Sequence, residues 1–377
     1  MQFAVSGYYG CGNAGDEAVL AGINEAFARR AGDSVNLVVL SQNPAATSRL
    51  HGLAAVDRMN LSVVRRILAD SDMLLSGGGS LLQDTTSMRS LLYYLWIVRL
   101  AYNLRVPVMF YAQGLGPLRR ALSRTLVRMV ANRAAYITVR DEPSARLLMS
   151  LGVSRPTVEV TADPAFALSP APDAFVEKLF EAEGLPTDAP LIGVALRAWG
   201  GASETNLNAY ARLLTELEAQ CRARVALLPM QTPGDVAFAE EVARRSGASG
   251  AFAIIRHSYP PDTLLGLVGR MQAVVAMRLH ALIFAARAGA IPFALSYDPK
   301  VENLMRGLGL ADSLEAWHGF DPEEVAARVA ALLADREARV AALRAQTPDL
   351  ERLALRNADC ALDVAERLHR DSCRFVS

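Results

Sequence analysis

Along most of the chain, short apolar runs alternate with longer stretches whose apolar positions recur at helical spacing, the pattern of α/β units around mostly parallel sheets. In the first half it predicts strands at 2–6, 35–40, 72–76, 107–112, 135–140 and 158–161, and helices beginning near 15, 61, 81, 119 and 143. Around 169–190 the rhythm breaks into Ser-Pro-Ala-Pro-Asp, one short amphipathic helix, and Gly184-Leu-Pro-Thr-Asp-Ala-Pro190, as a connector between folding units reads. The second half repeats the pattern, with strands near 191–196, 224–229, 251–255, 273–277 and 292–296, and helices near 205–220, 234–246, 261–270, 279–289 and 299–308. From about 321 the chain turns helical: Asp321 caps, Pro322 occupies the first turn, and Glu323 and Glu324 face the positive end of the helix dipole.

These elements predict an N-terminal Rossmann-like domain over 1–170, a linker over 171–190, a C-terminal Rossmann-like domain over 191–320, and helices over 321–377 that are free to cross back to the N-terminal domain. The expected fold class is α/β and GT-B-like, two doubly wound Rossmann-like domains facing a central cleft. Parallel sheets receive ligands at the carboxyl ends of their strands, so functional residues are sought there.

Composition narrows the partners. Basic and acidic residues number 39 each, so no net field draws the molecule to nucleic acid or an anionic surface, and any anion must be caught locally. Only Lys178 and Lys300 are lysines, which singles out Lys300 where it stands beside other polar signals. Cys11, Cys221, Cys360 and Cys373 form no C-x-x-C pair, which argues against a zinc site or a disulfide framework and for a reducing compartment. Phe3-Ala-Val-Ser-Gly7 follows the start without the basic flank and long apolar stretch of an export signal, pointing to the cytoplasm. The apolar stretch 273–295 contains Arg278, His280, Arg287 and Pro292 and reads as buried strand, helix and strand, not a membrane span.

Three glycine loops follow strands of the first half. Gly10, Gly12 and Gly15 spell a dinucleotide fingerprint, yet the second strand runs into Ser41-Gln42-Asn43, without the acidic residue that would hold a ribose. A tight turn with Asn13 and Asp16 exposed suits a sugar instead, or for Asp16 a helix cap alone. Ser76-Gly77-Gly78-Gly79-Ser80 leaves room for a ligand against the backbone of Gly78 and Gly79, with Asp84 downstream, and Gln113-Gly114-Leu-Gly116-Pro117 is the third loop. Arg140 ends a strand, placed either to hold a carboxylate or phosphate in two parallel bonds or to pair with Asp141 or Glu142. Asp163 reads as a turn former.

In the second half, Met277-Arg278-Leu279-His280 and Ser296-Tyr297-Asp298-Pro299-Lys300 each hand a strand over to a helix, so Arg278, His280 and Lys300 should converge as an anion trap with two helix N-termini behind them. Arg197, before Trp199-Gly200-Gly201, is a further candidate; Arg256 and His257 are weaker ones.

Taken together, the motifs at 12–17, 76–80, 113–117, 140–144, 278–280 and 296–301 resemble the polysaccharide pyruvyl transferases, in particular the bacterial cell-wall (CsaB) type, over about residues 3–310. The resemblance implies a GT-B-like transferase that moves pyruvate from phosphoenolpyruvate onto two hydroxyls of one sugar as a cyclic ketal, releasing phosphate. For the cell-wall type it implies an N-acetylmannosamine unit of a lipid-linked precursor, in a polymer that anchors S-layer proteins. On this reading Arg140, Arg278 and Lys300 hold the two anions of phosphoenolpyruvate, Arg197 is a further substrate-binding candidate, and His280 is the general acid or base, since an imidazole titrates at about 6.5 in water. Asn13, Asp16, Gly78, Gly79 and Asp84 would meet the acceptor.

No cofactor or metal is expected, phosphoenolpyruvate being a co-substrate, and the oligomeric state stays open. A lipid-linked acceptor implies a peripheral visit to the inner membrane face, assisted by Arg119-Arg120 and by Leu91-Leu-Tyr-Tyr-Leu-Trp96, unless that run is core. Two other readings stand beside this one. The first is a GT-B glycosyltransferase using a nucleotide sugar, and the second a non-catalytic binder of sugar phosphates.

Overall fold

The structure, a computed structural model, describes the chain apart from residues 86, 188, 200–202, 248–251 and 375–377 and the side chains of 371–374. The Gly200-Gly201 pair and the first position of the strand expected at 251–255 therefore lie outside the described residues. The chain divides into two compact units: Met1–Cys11, Asp16–Leu168 and Asp349–Ser377 form one, Gly12–Gly15 and Ser169–Pro348 the other.

The first unit is built on β1 (Gln2–Ser6), β2 (Asn36–Ser41), β3 (Ala54–Asp57), β4 (Met73–Ser76), β5 (Gly79–Leu82), β6 (Val108–Leu115), β7 (Tyr136–Val139) and β8 (Val158–Val160). Among the described residues these strands run in the order β3-β2-β1-β4-β6-β7-β8, with β5 paired to β6 and every pairing parallel. Phe3, Val5, Val39, Met73, Leu75 and Met109 line one face beneath Val19, Leu20, Ile23 and Phe27 of the helix Ala14–Ala31. Ala4, Leu40, Leu74, Val108 and Phe110 line the other, beneath Val64, Leu68, Leu91 and Leu95. Both faces are covered, which is why these strands read as unbroken apolar runs rather than as an alternation.

The helix Arg336–Arg374 brings its last turns onto the first of these faces, burying Ala358, Ala361, Val364 and Ala365. Fully buried Asn357 accepts from Thr161 Oγ1 at 2.8 Å and donates to the Ala162 carbonyl at 3.2 Å. Glu159 accepts from Arg356 and Tyr136, at 2.9 and 2.7 Å. Burial alone would raise its carboxyl, but these bonds hold it below the usual range.

The second unit carries β9 (Leu191–Ala195), β10 (Arg224–Leu227), β11 (Ala253–Ile254), β12 (Ala273–Ala276), β13 (Ile291–Ser296) and β14 (Leu314–Ala316), parallel and in the order β11-β10-β9-β12-β13-β14 among the described residues. One face, with Ile192, Val194, Val225, Val275 and Phe293, packs against Leu207, Leu214 and Leu217 of the helix Glu204–Cys221 and Val325 and Val329 of the helix Pro322–Ala334. The cap at Asp321 is present, its side chain accepting from Glu323 N at 3.0 Å.

Three expectations shift. The helix expected near 81 is β5, and the helix itself, Met88–Asn103, starts only where Ser87 supplies a capping hydroxyl for Ser90 N. Gly79 to Leu82 instead pair with the long β6, and Gln113 Nε2 donates to the Gly79 carbonyl at 2.8 Å. The sequence reading also passed over β3, β14 and the helix Pro44–His51, all short and mostly of mixed polarity. Finally, the connector expected over 171–190 falls in the second unit; its expected short helix is Asp173–Ala182, which buries Val176 and Phe180.

Candidate functional site

In each sheet the strand order reverses at one point, between β1 and β4 in the first unit and between β9 and β12 in the second. There the connections leave in opposite directions and open a crevice at the carboxyl ends of the strands. The candidate residues of each unit gather around these two points.

In the second unit, Arg197 follows β9, Arg278 and His280 follow β12, and Tyr297 and Lys300 follow β13. The Arg197 guanidinium lies 5.0 Å from the Trp199 ring centre and 5.6 Å from that of Tyr297, and its Nη1 donates to the Tyr297 hydroxyl at 2.9 Å. No carboxylate pairs with it among the described residues, so two aromatic faces and one neutral acceptor orient a full positive charge. Lys300 stands in the first turn of the helix Pro299–Gly307, whose cap Asp298 accepts from Lys300 N at 3.1 Å; its Nζ lies 3.4 Å from Asp298 Oδ2 and stays partly exposed.

Arg278 is placed differently from the expectation of an open anion trap. It is buried, and Asp235 takes its Nε at 3.0 Å and its Nη2 at 2.5 Å, the fork-to-fork pairing of a structural clamp. Asp235 also accepts from Met230 N at 3.2 Å. Only Nη1 of Arg278 is left unengaged by the clamp.

His280 stands in the first turn of the helix Leu279–Ala288 and packs on the backbone of Gly15. A Cβ at Gly15 would lie 2.2 Å from His280 Nδ1 and 2.8 Å from its Cγ, so the absence of a side chain at 15 is what lets the imidazole take its place. Asn13, expected at a ligand, shapes this turn: its Oδ1 accepts from Gly15 N at 3.0 Å, and it forms an antiparallel bridge with Gln231. We expect Gly15→Ala to lower kcat about 100-fold, because the imidazole must swing by an ångström or more. Its thermal midpoint should change little, since alanine favours the helix by up to about 1 kcal/mol. Steady-state rates with a melting curve check this, and an unchanged kcat would show that the packing does not set the imidazole.

In the first unit, half-buried Asp16 faces Gly79, whose added Cβ would lie 3.4 Å from Asp16 Oδ1. The Tyr9 and Tyr94 hydroxyls are buried without a hydrogen-bond partner among the described residues. Burial first, and the charge of Asp16 after it, push Tyr9 well above its usual range, so it remains a neutral donor. Glu17, to which the sequence reading gave no role, is buried and fixes the glycine loop, accepting from Gly10 N at 2.8 Å and pairing with His51 Nε2 at 2.9 Å.

Other sequence candidates of this unit turn out to hold the scaffold. The room at Gly78 is filled by the protein itself, for a Cβ there would lie 2.9 Å from Val19 Cγ1 and 3.3 Å from Pro164 Cγ. Asp84 accepts from Arg119 N and Arg120 N at 2.8 and 2.9 Å; burial raises its carboxyl, but these two bonds lower it further, below the usual range. Arg140 donates to Asp163 Oδ2 at 2.9 Å and Ser80 Oγ at 3.0 Å, packs on Gly114, and has Asp141 at 3.7 Å. Its principal acid is thus Asp163, which also caps the short helix Pro164–Ala167. Of the run 91–96, Leu91, Tyr94 and Leu95 are core while Leu92 and Trp96 are exposed. His257 pairs with Glu183 and Arg256 with Glu240. No described helix is long and apolar enough to cross a membrane.

Two Rossmann-like units, each with polar residues at its strand reversal, are those of the GT-B fold. Solved structures of that fold are similar to the chain. A UDP-GlcNAc 2-epimerase of Neisseria meningitidis bound to UDP-GlcNAc superposes with a TM-score of 0.63 at 14% identity, over 97% of this chain and 100% of that one. MnaA of S. aureus, solved with UDP, gives 0.62 at 15% identity over 96% and 97%. HepE of Anabaena, in complex with UDP, gives 0.59 at 12% identity over 99% of both chains. No curated protein matches the sequence. Residues 13–299 match the sequence model of the polysaccharide pyruvyl transferases, and the chain belongs to that family.

Proposed function

We propose that the protein transfers pyruvate from phosphoenolpyruvate to two hydroxyls of one sugar, forming a cyclic ketal and releasing phosphate, and that the sugar is an N-acetylhexosamine, N-acetylmannosamine in a lipid-linked cell-wall precursor of the CsaB type. Family membership supports the reaction class. The observation that carries the donor is Arg197, a cation held by two aromatic rings without a carboxylate, on the strand next to the one that delivers Arg278 and His280.

Phosphoenolpyruvate brings a carboxylate and a phosphate on three carbons. Arg197 and Lys300 supply cations, and Nη1 of Arg278, which the Asp235 clamp leaves unengaged and orients, supplies a further donor. His280 delivers a proton to the methylene carbon, and the adjacent carbon gains oxocarbenium character. One sugar hydroxyl adds there and loses its proton, the carbon–oxygen bond to phosphate breaks, and the second hydroxyl closes the ring with loss of its own proton. One proton has gone from His280 to carbon and two have left the hydroxyls; one of these is carried off by phosphate and the other returns to His280. Half-buried Asp16, facing Gly79, supplies the acceptor side in the first unit.

The reading is tested by incubating the protein with phosphoenolpyruvate and a panel of aryl and lipid-linked N-acetylhexosamines. The expected product gains the mass of pyruvate less one water, with one phosphate released per ketal. A calorimetric response to UDP or GDP with none to phosphoenolpyruvate would favour a nucleotide-sugar glycosyltransferase instead.

A further inference from the structure

A second held cation lies in the first unit, outside every motif considered so far. Arg58 follows β3 and is half-buried. Its backbone is pinned on both sides, its N donating to the Ser41 carbonyl at 2.9 Å and its carbonyl accepting from the Tyr93 hydroxyl at 3.0 Å. Its guanidinium sits 5.9 Å from the Tyr8 ring centre and 5.5 Å from that of Tyr93, and Nε donates to Gln42 Oε1 at 3.0 Å. Both terminal nitrogens are left over, and no carboxylate pairs with Arg58 among the described residues. Neighbouring Asp57 uses Oδ1 to accept from Met59 N at 2.8 Å. The two strand-end arginines Arg140 and Arg278 are each paired with a buried aspartate. Arg58 has instead what Arg197 has: two aromatic rings and one neutral acceptor.

The surroundings strengthen the charge. The helices Leu61–Ala69 and Met88–Asn103, which flank Arg58 and Tyr93, contain no acidic residue and expose Arg65, Arg66, Arg89 and Arg99. Tyr8 and Cys11, on the glycine loop that leads to Asp16, lie within the field of Arg58. A planar fork with two free nitrogens, fixed at its stem, matches the oxygens of a phosphate ester.

We propose that Arg58, oriented by Tyr8, Tyr93 and Gln42, binds a phosphate group attached to the acceptor sugar, so that the enzyme selects a glycosyl phosphate or diphosphate over the bare glycoside. This rests on the reading that the acceptor occupies the first unit. The test compares an alkyl N-acetylhexosaminyl diphosphate, an aryl N-acetylhexosaminide without phosphate, and inorganic pyrophosphate, with wild type, Arg58→Gln and Arg58→Lys.

Calorimetry should show the alkyl diphosphate binding about 10- to 100-fold more weakly to Arg58→Gln, with Arg58→Lys in between because it keeps charge but loses the fork. In turnover, KM for the diphosphate should rise while kcat/KM for the aryl glycoside stays as in wild type. Pyrophosphate should compete with the diphosphate in wild type but bind more weakly than it, which separates a sugar-borne phosphate from a free one. Equal losses for both sugars, no loss for either, or pyrophosphate binding as tightly as the glycosyl diphosphate would overturn the proposal. If no acceptor turns over, the transferase reading fails while the calorimetric series still decides the role of Arg58.

Discussion

His280→Ala should lower kcat for ketal formation by about 10²- to 10⁴-fold, the range that a positioned acid or base contributes. Phosphoenolpyruvate affinity should fall far less, because Arg197, Lys300 and Arg278 hold the anions in the proposed site. The imidazole packs on Gly15 in the first turn of its helix and so has a defined place from which to reach a substrate carbon. Single-turnover rates and a phosphoenolpyruvate titration of the variant separate the two effects. A variant that keeps its turnover removes His280 from the chemistry, and one that loses donor binding and turnover in parallel makes it a binding residue.

Asp235→Ala should be the most destabilising single change in the second unit. It leaves Arg278, a residue only 8% exposed, without its carboxylate and Met230 N without its acceptor. Breaking such a buried pair from one side costs about 3–5 kcal/mol. Urea melts would show this, and turnover should fall with it, since Asp235 also orients Arg278. Asp235→Asn keeps the shape and one acceptor and should recover part of the stability but little of the turnover. If Asp235→Ala melts as wild type does, the clamp is not structural and Arg278 is free for substrate.

The pair Arg278 and Asp235 also shows where sequence reading stops. An arginine at a strand end can hold a ligand or an internal acid, and nothing at positions 277–280 distinguishes the two, because the acid stands 43 residues earlier on another helix. Arg140 and Asp163 repeat the lesson in the first unit. Arg197 and Tyr297, 100 residues apart, show the reverse case, in which the neighbour is neutral and no carboxylate among the described residues pairs with the charge. Glycines behave alike: Gly78 makes room for Val19 and Pro164, Gly15 for the His280 imidazole, and their local sequences look equally like ligand loops. Arg58 gave no signal at all, since its aromatic partners come from the loop after β1 and from a distant helix.

Hydrophobic periodicity, turn residues and caps act over a few residues, and they were enough to define two α/β units, most of their strands, the helix cap at Asp321 and the loops on which polar residues leave the sheets. The family follows from those loops as well. Which arginine has a carboxylate partner and which only neutral ones, which carboxylate clips a loop, and which glycine an imidazole rests on were decided by the tertiary structure. Charge is a property of a residue, but its availability depends on what desolvates and pairs it, and those partners are brought together only when strands far apart in the chain take up their register in the sheet.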